Sequence, residues 1–163
     1  MEKTVYLSLG SNIGDRDANL RNAIEKLGEL GEVVAVSSFY ETEPMEFTDQ
    51  PWFVNCAVAL RTKLMPERFL SRVLSIEQKM GRRRTRPKGP RMIDIDILLF
   101  GDSVINTPQL DVPHPAMHER RFVLEPLAEI APDVKHPVLR HTVRDLLKSL
   151  QSNVGRVKKL PQH

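Results

Sequence analysis

An α+β fold, an antiparallel sheet backed by helices, is what the chain predicts, and three observations carry the prediction. Segments with two-residue alternation are separated by segments with helical spacing of apolar positions. They come in the order strand, helix, strand, strand, helix, strand. The chain has 163 residues, 40% hydrophobic and 28% charged, which suits one domain, 1–163, around a sizeable core.

Each element can be justified in turn. Thr4 to Leu9 alternates, with Val5, Leu7 and Leu9 on one face. Gly10-Ser11-Asn12-Ile13-Gly14 reads as a turn, since a phosphate-cradling GxxxxGK[ST] pattern is absent. Asp15 and Asp17 suit the positive end of a helix whose stripe is Leu20, Ala23, Ile24, Leu27 and Leu30. Val33 to Thr42 reads as one long strand. Glu43 to Pro51, polar with two prolines, reads as a loop. Trp52 to Thr62 is a third strand, with Val54, Cys56, Val58 and Leu60 on its apolar face and Phe53 and Asn55 opposite. Pro66 suits the first turn of a second helix, striped by Phe69, Val73, Ile76 and Met80 and stopped at Gly81.

The fourth strand lies in Gly89-Pro90-Arg91-Met92-Ile93-Asp94-Ile95-Asp96-Ile97-Leu98-Leu99-Phe100. Alternation puts Ile93, Ile95, Ile97 and Leu99 on one face, Asp94 and Asp96 on the other. The whole order is the ferredoxin-like β-α-β-β-α-β unit, an antiparallel sheet with two helices on one face. A short Ser103–Ile105 strand and a proline-rich loop follow. Phe122–Ala131 and Thr142–Leu150 read as additional C-terminal helices, and the polar tail from about residue 152 is expected to be mobile.

The chemistry centres on Asp94 and Asp96. At i and i+2 they stand roughly 6.6–6.8 Å apart along a strand, a spacing that lets hard cations share carboxylate oxygens and keep positions open for phosphate. Two acids on a solvated strand face would look the same, so the neighbourhood decides. Arg82, Arg83, Arg84, Arg86, Lys88 and Arg91 run directly into that strand. A formal charge of only +3 makes this a local cluster on a near-neutral chain, which favours an anionic ligand over a long nucleic acid. Arginine pairs with phosphate bidentately. Pro113-His114-Pro115 and Arg120 add a second basic element. Glu77, in the last turn before the arginine run, can steer an arginine or simply be helix surface. Phe53 can stack on a flat ring, and Asn55 can offer it a donor and an acceptor. The single cysteine, Cys56, excludes an internal disulfide and reads as a packed strand residue.

Together these residues resemble the 6-hydroxymethyl-7,8-dihydropterin pyrophosphokinases. The matching stretches are Gly10-Ser11-Asn12, Ser37 to Pro44, Asp49-Gln50-Pro51 with Phe53-Val54-Asn55, Glu77 to Arg82, Gly89-Pro90-Arg91 with Asp94 to Leu98, and Val112-Pro113-His114-Pro115 to Arg120-Arg121-Phe122. The resemblance implies a ferredoxin-like core with added elements. It also implies transfer of pyrophosphate from ATP to the pterin hydroxymethyl group, with release of AMP, in folate synthesis. By the same resemblance Asp94 and Asp96 hold two magnesium ions, and Arg82, Arg91, Asp94 and Asp96 form the catalytic set. ATP falls to Glu77, Arg82, Arg84, Arg91, Ile97, His114 and Arg120. The pterin falls to Thr42, Pro44, Met45, Phe53, Asn55 and Phe122, its ring sandwiched between the two phenylalanines. The chain departs from the family pattern at Lys88, where many members carry an aromatic, and in an arginine run one residue shorter than in some relatives. That leaves open whether Arg84 or Arg86 fills the second loop role.

Two rivals use similar parts. A ferredoxin-like RNA-binding module needs an RNP1-type aromatic run on a central strand, and none is present. A magnesium-dependent nucleotidyl transferase also uses paired acids but releases pyrophosphate rather than AMP. With no apolar run of membrane-spanning length and no leader-like opening, a cytoplasmic protein is expected, acting on ATP and the pterin without nucleic acid, membrane or obligate protein partner.

Overall fold

Local chemistry starts the helices as the sequence leads one to expect, although the first helix ends at Leu27 and leaves Leu30, expected in its stripe, beyond it. Asp15 caps α1 (Arg16–Leu27), its carboxylate accepting from the Ala18 N–H at 3.1 Å. Pro66 occupies the first turn of α2 (Pro66–Lys79). Thr142 caps α4 (Val143–Lys148) through the Asp145 N–H at 3.2 Å. Before it, α3 (Arg121–Ile130) follows a short 3-10 turn at Met117–Glu119. The computed structural model describes residues 1–43, 51–81, 92–150, 155 and 157–161.

The strands are β1 (Lys3–Ser11), β2 (Glu32–Val36), β3 (Tyr40–Thr42), β4 (Phe53–Thr62), β5 (Asp94–Phe100), β6 (Ile105–Asn106), β7 (Asp111–Val112) and β8 (Val157–Lys159). The main sheet runs β5-β1-β4-β3-β8, with β2 also on β4, and every pairing is antiparallel. α1 and α2 cover one face. Leu20, Ala23 and Leu27 meet Phe69, Val73 and Ile76 there over Leu7, Leu9, Val54, Cys56, Val58, Ile95 and Ile97. The Phe69 and Phe100 rings meet edge to face at 5.7 Å. α3 and α4 close a second core on the opposite face, where Met117, Leu124, Leu127 and Val143 pack on Ala57, Leu98 and Leu99. The α+β class with an antiparallel sheet is therefore present, with helices on both faces.

Four expectations need correction. The long Val33–Thr42 strand is two strands, interrupted at Ser37–Phe39. Leu99 does not share the face of Ile93, Ile95 and Ile97, because Tyr6 pairs with Leu99 while Leu7 pairs with Ile97. The extra residue, Leu98, makes a bulge that turns Leu99 toward the second core and Phe100 toward the first. The short strand after Phe100 is Ile105–Asn106, paired with β7. Finally, the tail is not wholly free. Val157–Lys159 pairs with β3, and the Leu160 N–H donates to the Phe39 carbonyl at 2.8 Å.

Candidate active site

Cross-strand partners point the same way, so register alone assembles the floor of a site. Gly10 on β1 pairs with Asn55 on β4 and with Asp94 on β5. The next row is Ala57, Ser8 and Asp96. Asn55 and Asp94 thus face the same side two strands apart, about 9.4–9.8 Å by strand spacing, with a glycine between them. A side chain in that place would displace its neighbours. A Cβ on Gly10 would fall 2.5 Å from Asn55 Nδ2 and 3.5 Å from the Phe53 ring. Amide and ring both lean over the space it leaves.

Asn55 is buried, and its amide is held at both ends. Oδ1 accepts from the Thr42 hydroxyl at 2.6 Å, and Nδ2 donates to the Leu9 carbonyl at 3.2 Å. These bonds set which end of the amide points where, and use half of its donor and acceptor capacity. Thr42 reaches Asn55 because it pairs with Phe53 on the same face. Phe53 is half-buried at the start of β4. Phe122 enters over this face of the sheet from the first turn of α3, its ring 5.6 Å beneath the Arg120 guanidinium.

Beyond Asp94 the sheet edge opens into a cleft of about 330 Å³. Glu77, Asp94, Asp96, Ile97 and His114 line it, with Leu70, Leu74, Leu110, Gln109 and Asp111 completing the walls. The His114 N–H donates to the Leu98 carbonyl at 2.9 Å, docking its segment on the outer edge of β5. The Ala116 N–H donates to His114 Nδ1 at 3.2 Å, so the neutral ring carries its proton on Nε2. Burial holds the His114 pKa below its usual value and the Arg120 guanidinium adds to the effect, while Asp94 and Asp111 pull the other way. His114 is therefore neutral near pH 7. Burial pushes the Cys56 thiol well up, which keeps it an inert core group.

Glu77 is neither helix surface nor merely an arginine guide. It is 4% exposed, and its Oε2 accepts from the Ile95 N–H at 2.7 Å. That bond anchors β5 between the two aspartates. Glu77→Ala should leave the buried N–H unsatisfied and cost about 1–3 kcal/mol. The thermal midpoint should fall by roughly 2–12 °C, with Glu77→Gln recovering most of it. A midpoint unchanged in the alanine variant would remove the anchor.

Of the residues singled out from sequence, Glu77, Asp94, Asp96, Ile97 and His114 share the cleft. Thr42, Phe53 and Asn55 share the sheet floor beside Gly10. Arg82, Arg84, Arg91, Pro44 and Met45 lie outside the described residues. Sequence reasoning missed Gly10 and Ser8. Gly10 stood in a stretch that reads as a turn, whereas β1 continues through Ser11.

Comparison with known proteins places the chain in a family. Residues 6–132 match the family described as 7,8-dihydro-6-hydroxymethylpterin-pyrophosphokinase. A 2-amino-4-hydroxy-6-hydroxymethyldihydropteridine pyrophosphokinase of Methylorubrum extorquens is 48% identical over 155 residues, 93% of this chain and 97% of that one. A protein of the same name from Aquifex aeolicus is 44% identical over 142 residues, 87% of this chain and 89% of that one. Among solved structures, wild-type Plasmodium falciparum HPPK-DHPS with pteroate superposes with a TM-score of 0.74 at 20% identity. That alignment covers 91% of this chain and 42% of the longer one, and it speaks for the fold alone. With a family match across most of its length and relatives of its own size, the chain belongs to the 7,8-dihydro-6-hydroxymethylpterin-pyrophosphokinase family, and it transfers pyrophosphate to a hydroxymethyldihydropterin in folate synthesis.

Proposed function

We propose that this chain uses ATP and magnesium for the transfer, and that the Asn55–Gly10–Asp94 row is the line along which it occurs. The row is the observation that carries the reading. A flat pterin whose polar edge lies on Asn55 rests on Gly10 and points its opposite edge toward Asp94. Phe53 and Phe122 supply stacking surfaces and Thr42 part of the wall, while Pro44 and Met45, outside the described residues, are assigned to the pterin by the resemblance alone. On the other side of Asp94, the cleft takes ATP between Glu77, Ile97, His114 and Arg120. Arg82, Arg84 and Arg91 pair with its phosphates. The pterin hydroxyl oxygen attacks the β-phosphorus, the bond from that phosphorus to the α-phosphate bridging oxygen breaks, and AMP leaves as the hydroxyl proton passes to solvent.

The donor set suits magnesium. Among the described residues no three His, Cys, Asp or Glu side chains converge on one point. Asp94 and Asp96, on one face of β5, would form a two-carboxylate set of the kind magnesium completes with water and phosphate oxygens. Two bound ions would neutralise phosphate charge and polarise the transferred group. Among the described residues no helix is long and apolar enough to cross a membrane, and the partners of this reading are ATP and the pterin.

ATP labelled at its β-phosphorus tests the assignment. Label should appear in the pterin product and none in AMP, and turnover should stop when magnesium is chelated. Formation of ADP would mean ordinary kinase chemistry. Release of inorganic pyrophosphate would mean nucleotidyl transfer.

A further inference from the structure

Glu129, near the end of α3, accepts two hydrogen bonds from the stretch between β2 and β3 and a third from Tyr40, the first residue of β3. Oε2 receives the Ser38 N–H and the Ser38 hydroxyl, each at 2.9 Å, and Oε1 receives the Tyr40 hydroxyl at 2.6 Å. The stretch is also fastened to the sheet. The Ser37 N–H donates to the Ala57 carbonyl at 2.9 Å, and the Ala57 N–H donates to the Ser37 hydroxyl at 2.8 Å.

Register explains what this fastening achieves. Val36 pairs with Val58, whereas Tyr40 pairs with Asn55. Four steps along one strand thus match three along the other, so one residue is bulged out between them. Without the bulge Tyr40 would oppose Val54, and β3 would turn its side chains over to the other face. Thr42 would then face α1 and α2, out of reach of the Asn55 amide. We propose that Glu129 is a positioning residue that locks this one-residue bulge, and so holds β3 in the register that brings Thr42 to Asn55. The proposal rests on the reading of Thr42 and Asn55 as the pterin wall. The carboxylate is well chosen for the task. Desolvation opposes its charge, but the bonds from Tyr40 and Ser38 outweigh it and, with Lys159 on β8 nearby, hold its pKa below the usual value.

Steady-state kinetics and hydrogen exchange test this together on the full chain. Glu129→Ala should speed amide exchange in a peptide spanning 37–42 and leave β1 and β5 protected. It should raise the pterin KM about tenfold or more, the worth of one well-placed hydrogen bond, with the ATP KM within about twofold. Glu129→Gln keeps an oxygen for Ser38 and should restore most of the pterin KM. Tyr40→Phe removes a single bond, serves if Glu129→Ala does not fold, and should give a smaller shift of the same kind. Thr42→Ala separates the two ideas. If it leaves the pterin KM unchanged, the reading of the wall fails. If it raises that KM while Glu129→Ala and Tyr40→Phe do not, or if both KM values move together in those variants, the positioning role of Glu129 is overturned.

Discussion

Asp94→Ala or Asp96→Ala abolishes turnover and leaves the protein folded: that is the largest effect the structure leads us to expect. Both carboxylates stand on the site face of β5, opposite Gly10 and Ser8, while Ile95 and Ile97 between and beyond them hold the core under α1 and α2. Removing an acid therefore touches neither core. Lewis-acid stabilisation of a phosphoryl transition state is worth several kcal/mol, so turnover should drop by on the order of a thousandfold or more. The thermal midpoint should move by no more than about 4 °C, since the change falls outside both cores. Activity and midpoint are to be measured on the same preparation. Near-normal turnover in either variant would remove that aspartate from the mechanism. A collapse of the midpoint would mean that the acids hold the fold rather than the metal.

Gly10→Ala should produce the second large effect, and on the pterin alone. The new Cβ would lie 2.5 Å from Asn55 Nδ2, closer than nonbonded atoms tolerate, so the amide must leave its bonds with Thr42 and the Leu9 carbonyl. Loss of that arrangement, with a buried amide left partly unsatisfied, is worth about 2–3 kcal/mol. The pterin KM should rise by roughly thirty- to 150-fold, while ATP binding, measured separately by titration, stays within about twofold. Asn55→Ala should reproduce the loss, and combining the two changes should add little, because both act on the same amide. A threefold or smaller change in Gly10→Ala would mean that the floor between β1 and β4 is not where the pterin lies.

Much of this was legible in one dimension because it depends on local periodicity and composition. Alternation put Asp94 and Asp96 on one face and Ile93, Ile95 and Ile97 on the other, and β5 obeys it as far as Ile97. Asp15, Pro66 and Thr142 marked helix starts through chemistry confined to a single turn. Alternation fails where a strand carries an extra residue. Nothing in Leu98-Leu99-Phe100 announces a bulge, since three apolar side chains satisfy either face equally. Ser37-Ser38 is similarly silent, because its meaning depends on a glutamate about ninety residues later in the chain.

What the sequence determined by itself was the class of chemistry: paired acids on a strand, basic residues before and after them, and an aromatic and an amide on another strand. Those assignments rest on residue type and short spacing, which survive any arrangement of the rest. The tertiary structure decided which of these groups meet. Strand register set Asn55, Gly10 and Asp94 in one row, turning a glycine that reads as part of a turn into the floor of a site. The approach of α2 to β5 buried Glu77 against the Ile95 amide, a contact across 18 positions that no helical pattern can express. Pairing with β3 gave Val157–Lys159, a valine and two lysines, a sheet edge to extend. Such contacts are settled by which backbone groups and carboxylates find partners after the two cores have closed, and a linear pattern of apolar and polar residues holds no record of that.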